Sequence, residues 1–193
     1  MIGKKSRFHN GQYVYIRMFC ITMFLVLNVE VGYGQFIPIV DSPSTANFVR
    51  QQANSMGNAF IKGDYETFEK YTNPAIVNAM GGKSRMTAVL VNSANDMKAK
   101  GMVISGITVD SPSKIVKSRS ELQCTLKQHT TIKLNNGTVI ATSTLIAISL
   151  DGGKNWSFVD TSNKDASTMR KMLPNLSTAI IIPPEQQPVY YKE

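Results

Sequence analysis

Histidine, cysteine and tryptophan are scarce in this 193-residue chain, which holds two His, two Cys and one Trp. A transition-metal site needs several imidazole or thiolate ligands, so no metal is expected, and no other motif calls for a cofactor. Gly81-Gly82-Lys83-Ser84 has the end of a phosphate loop but lacks the upstream glycine and the strand that leads into one. The basic residues form no run and are not interleaved with aromatics, so nucleic acid is not an expected partner. The apolar stretch Met18 to Leu27 falls short of the roughly 20 residues that span a bilayer. No internal repeat or second domain is visible.

What is present begins with a leader. Lys4, Lys5, Arg7 and Arg17 precede the apolar stretch, and Gly32 and Gly34 follow it as small residues. That order reads as a secretory signal over residues 1–34, cleaved to leave Gln35 first, with no membrane span afterwards and an exported, periplasmic or secreted product. Of 21 basic and 13 acidic residues, 17 and 12 lie beyond residue 34, a net charge of +5 that reads as a solvated surface. Cys124 is then the single thiol, so no internal disulfide can form. A hydrophobic core must carry the fold, and about 160 residues suffice for one.

Residues 35–43 read as an extended lead-in, residues 44–162 as one α+β domain. Ala46, Val49, Ala53, Met56 and Phe60 recur at steps of three and four, the mark of a helix with one buried face. Ser44 is its expected N-cap and Gly63 its stop. Asp64 and Asn73-Pro74 open two short helices, and Gly81-Gly82 precedes a longer one from about Lys83 to Lys100. Strands follow: Met102 to Val109, an extended stretch from Lys114 continuing through a bend, Leu122 to Leu134, Thr138 to Leu150, and Trp156 to Thr161. Asn136-Gly137 and Asp151-Gly152-Gly153 supply the hairpin turns. Residues 163–193 read as a short helix, an apolar strand over Thr178 to Ile182, and a Pro-rich, poorly ordered tail. Helices first and a meander second predict helices packed on a curved antiparallel sheet.

The helix, Gly63-Asp64, Asn73-Pro74, Gly81-Gly82, helix, then long strands ending in Trp156-Ser157-Phe158-Val159-Asp160, together resemble the nuclear transport factor 2-like superfamily, the cystatin-like α+β cone. The resemblance covers about Thr45 to Thr161 and is narrowest with secreted bacterial members. It implies the cone fold. The superfamily hosts isomerases, dehydratases, cyclases, transport adaptors and association domains, so the resemblance does not choose a function. Separately, Ser149-x-Asp151-x-Gly153-x-x-Trp156 resembles the Asp-box of sialidase-like propellers, where Asp and Gly shape a hairpin above the Trp. One copy in a chain this short reads as a structural hairpin.

Strand alternation sorts the remaining candidates. Leu122, Cys124, Leu126, Ile132 and Leu134 share the apolar parity, which makes Cys124 a buried structural thiol. His129 takes the other parity with Glu121, Gln123 and Lys127, which places it on the polar face. Asp160 shares the parity of Trp156 and Phe158, so its carboxylate is expected at the rim of the apolar face or in a pocket there. Tyr65 and Tyr71 are placed to meet the same face from the helices. These residues define the expected ligand site, Asp160, Trp156, Tyr65 and Tyr71. The expected role is an exported, non-enzymatic binding or association module with a modest apolar cavity for a small apolar ligand, self-associating as a homodimer through its sheet. The alternative is a small pocket enzyme of isomerase or dehydratase type with Asp160 as acid/base.

Overall fold

The structure is a computed structural model that describes residues 43–162 and 164–192; the expected signal segment and its cleavage point lie outside them. Among the described residues four helices come first: α1 (Pro43–Ile61), α2 (Tyr65–Tyr71), α3 (Pro74–Ala79) and α4 (Lys83–Ala99). A curved antiparallel sheet follows, formed by β1 (Val103–Val109), β2 (Val116–Ser118), β3 (Glu121–Leu134), β4 (Gly137–Ser149) and β5 (Ser157–Asp160). Helix α5 (Ala166–Met172) and strand β6 (Val189–Lys192) end the chain.

Helix α1 buries Val49, Ala53 and Met56, as its periodicity requires. It spans Pro43–Ile61, so Ser44 lies inside it instead of capping it, and residues 35–42 of the expected lead-in lie outside the described residues. Gly63, at φ 71°, closes it: Asp64 N–H donates to Ala59 O and Gly63 N–H to Phe60 O. The Asp64 carboxylate then caps α2 through Thr67 N–H, and the Asn73 side chain caps α3 through Ala75 N–H.

Strands β3 and β4 pair along their whole length, from Leu122 opposite Ser149 to Leu134 opposite Gly137. On one side β3 is flanked by β1 and β2, and on the other β4 is flanked by β5 and β6. The Lys114 stretch does not run on into β3. It reverses at Arg119-Ser120, where Arg119 adopts φ 54°, and β2 pairs back antiparallel with Ser118 opposite Glu121.

Each sheet face carries its own core. Under the helices, Val49, Ala53 and Met56 meet Leu122, Cys124, Leu126, Leu145, Ala147, Trp156 and Phe158. On the opposite face Ile146, Ile148 and Val159 are covered by Met169, Leu173, Leu176 and Ile180 from α5 and the chain after it. This second core departs from the sequence reading in two ways. Thr178 to Ile182 forms no strand; it crosses the sheet face as irregular chain and contributes Ile180. Gln123, expected among the solvent-facing polar residues, is fully buried. Its amide satisfies the irregular backbone above it: Nε2 donates to Asn175 O at 3.0 Å, and Oε1 accepts from Ser177 N–H at 2.9 Å. A buried polar group of this kind is tolerated because its hydrogen bonds are made. The tail beyond Pro183-Pro184 ends in β6, which pairs with Gly137–Ile140 of β4.

Candidate functional site

Between α1 and the upper half of the sheet the core is incomplete. Met56, Gly57 and Phe60 of α1, Phe68 of α2, Ile104 and Ile107 of β1, and Gln128, Thr130, Leu145 and Asp160 of the sheet line a cleft of about 200 Å³. Gly57 sets its narrow wall. A Cβ there would stand 2.7 Å from Ile107 Cγ2, so only glycine lets α1 approach β1 this closely. Phe60 packs edge-on to Tyr65, with ring centroids 5.9 Å apart, and tilted against Phe68 at 5.2 Å. These contacts hold the aromatic wall in place.

The cleft is apolar except at one end, where Gln128 and Thr130 of β3 and Asp160 of β5 face one another across β4. The Asp160 carboxylate is crowded with donors. Oδ2 accepts from Gln128 Nε2 at 3.1 Å and Ser143 Oγ at 3.2 Å. Oδ1 accepts from Ser162 N–H at 2.8 Å and from Ser162 Oγ at 2.5 Å. Both oxygens are therefore engaged by the protein itself.

The four sequence-derived residues do not converge. Asp160 lines the cleft, at its exposed mouth. Trp156 is in the core beneath the helices, 2 % exposed, and touches no ligand space. Tyr71 packs against that core beside Phe158, at 6.5 Å between centroids. Tyr65 lines an adjoining, wider groove between α4 and the end of α1, together with Met97, Met102 and Val103, that shares Phe60 and Ile104 with the cleft. Missed at the sequence level were Gln128, Thr130 and the α1 and β1 residues. A signal for the first two existed: they continue the apolar parity of Leu122, Cys124 and Leu126, and are polar residues on the helix-facing side of β3.

His129 points to the other face, as alternation required, and is half-buried between Thr142 Oγ1 and Asp110 Oδ1, each 3.3 Å away. Cys124 is fully buried, as its parity required. Among the described residues no group of three His, Cys, Asp or Glu side chains could hold a metal ion.

The Asp-box segment folds as a self-satisfied hairpin. Asp151 Oδ1 accepts from Asn155 N–H, Lys154 N–H and Ser149 Oγ, and Oδ2 accepts from Asn155 Nδ2. Hydrogen bonding led by the Asn155 backbone N–H lowers the Asp151 pKa to about 2. Trp156 Nε1 donates to Gly153 O, and Trp156 N–H donates to Gln52 Oε1 on α1 while Gln52 Nε2 donates to Lys154 O. The turn thus clamps α1 to the sheet, with the Asp151 carboxylate spent on holding the turn.

No protein-family model, curated protein or solved structure matches the chain.

Proposed function

We propose that this chain is an exported, non-enzymatic binding module of the nuclear transport factor 2-like cone type, holding one small apolar ligand in the cleft between α1 and β1. The helix-then-sheet order and the curved half-barrel are compatible with a cone. The observation that carries the binding reading is the state of Asp160. A general acid or base must offer an atom to the substrate, and both Asp160 oxygens already accept hydrogen bonds from Gln128, Ser143 and Ser162. Among the described residues no histidine or tyrosine lines the cleft to take its place.

Size points to the ligand class. An apolar protein cavity of about 150 Å³ is enough to hold benzene, and this cleft is about 200 Å³. A ligand of one ring or a short branched chain fits it. Self-association through the sheet is confined by the second core, because α5 and the following chain occupy the face over Ile146, Ile148 and Val159.

Titration with toluene followed by thermal unfolding tests the reading. Saturable binding raises the melting temperature with ligand concentration, and Thr130→Trp, which fills the cleft from β3, removes the rise. A rise that survives Thr130→Trp would place the ligand elsewhere. Turnover of any cyclic ketone or hydroxy acid that is lost in Asp160→Asn would overturn the non-enzymatic assignment.

A further inference from the structure

We propose that Gln128 sets the specificity of the cleft, selecting an apolar ligand that carries one hydroxyl or N–H donor and disfavouring a carboxylate. This rests on the binding reading of the cleft and adds the chemistry of what it takes.

The inference starts from the direction of the Gln128 amide. Carboxylate oxygens of ionised Asp only accept, so the group facing Asp160 must be the amide nitrogen. Nε2 lies 3.1 Å from Asp160 Oδ2 and 3.4 Å from Ser143 Oγ, so the amide nitrogen faces this pair of oxygens. Ser143 in turn donates its own hydrogen to Asp160 Oδ2, so its oxygen is free to accept from Gln128. The three side chains form a closed ring of bonds with one orientation. The amide cannot flip without placing Oε1 against the carboxylate.

Oε1 of Gln128 then has no protein partner among the described residues, and the side chain lines the polar end of the cleft. Gln128 is half-buried and open to water, so a ligand that displaces water from this acceptor without supplying a donor loses a hydrogen bond. A ligand hydroxyl or N–H satisfies the acceptor. A carboxylate brings only lone pairs to Oε1 and a second negative charge beside Asp160, with no lysine or arginine among the cleft residues to offset it. Thr130, next on the same face of β3, adds a hydroxyl that can serve either partner.

Calorimetric titration of the full chain with phenol, toluene and benzoate, repeated on Gln128→Met, provides the test. Methionine keeps the volume and removes the acceptor. Phenol affinity is expected to fall roughly three- to tenfold in the variant, the factor of one net neutral hydrogen bond, while toluene affinity holds or improves. Benzoate is expected to bind the native protein more weakly than toluene. Equal loss of phenol and toluene, or none of either, would overturn the selectivity while leaving the cleft reading intact; absence of binding by all three would overturn both. Should Gln128→Met not fold, a phenol-soaked crystal of the native protein decides the matter: the hydroxyl within 3.5 Å of Gln128 Oε1 is expected, and a hydroxyl turned away from it would contradict the proposal.

Discussion

Trp156 shows how much one side chain can hold. Its ring fills the core beneath α1, its indole N–H closes the Gly153 turn, and its backbone N–H ties to Gln52. Replacing it with Ala is expected to cost about 3–5 kcal/mol, the range for a buried large aromatic, read by denaturant titration. As the single tryptophan, it should emit to the blue in the native protein and shift red on unfolding. Asp151 gives a pH signature. Its folded pKa of about 2 lies below the ordinary 3.8, so the carboxylate stabilises the fold fully above about pH 4 and loses that effect as pH falls towards 2. The stability difference between native protein and Asp151→Asn should shrink across that window; a constant difference would mean the hairpin does not use the charge. Gly57→Ala weighs two effects of opposite sign. Alanine gains about 0.5–1 kcal/mol of helix propensity, whereas its Cβ meets the stiff, β-branched Ile107 at 2.7 Å. Overpacking costs about 1–3 kcal/mol, so net destabilisation is expected, and a melting temperature above native would show that β1 yields easily.

At the scale of elements, legibility in the sequence followed the locality of the signal. Helix caps at Asp64 and Asn73 and the stop at Gly63 depend on a few adjacent residues, and the structure has them where local chemistry required; the β3–β4 hairpin instead turns one residue earlier than Asn136-Gly137, at Asn135-Asn136, with Gly137 already in β4 opposite Leu134. Strand parity likewise placed Asp160, His129 and Cys124 on their faces. What local pattern could not give was the partner of the second face. Thr178 to Ile182 has strand composition, yet Pro174, Pro183 and Pro184 bracket it, and its apolar residues serve a face of the sheet instead of an edge. Gln123 looked solvent-facing because its buried partners, Asn175 and Ser177, lie more than fifty residues away. The cleft was legible only in part for the same reason: Asp160 and Gln128 meet across strands, and α1 closes over them from another layer. The C-terminal segment is therefore expected to be indispensable. Truncation after Leu173 should expose Ile146, Ile148 and Val159 and yield protein that aggregates or binds a hydrophobic dye. A truncated chain that stays monomeric with native tryptophan emission would contradict that role.

On the scale of the whole molecule, the sheet carries a core on each face, and the core on the helix side is left incomplete at the cleft between α1 and β1. That place combines an apolar wall, a single oriented amide and a carboxylate already engaged by its neighbours. Methionines report on it selectively. Met56 lines the cleft, Met97 and Met102 line the adjoining groove beside α4, and Met169 belongs to the second core. A titration of methyl-labelled methionine protein with a one-ring aromatic, followed by NMR, is the most direct measurement. The Met56 methyl should shift saturably while those of Met97, Met102 and Met169 stay in place. Shifts centred on Met97 and Met102, or no saturable shift at Met56, would contradict a ligand site between α1 and β1.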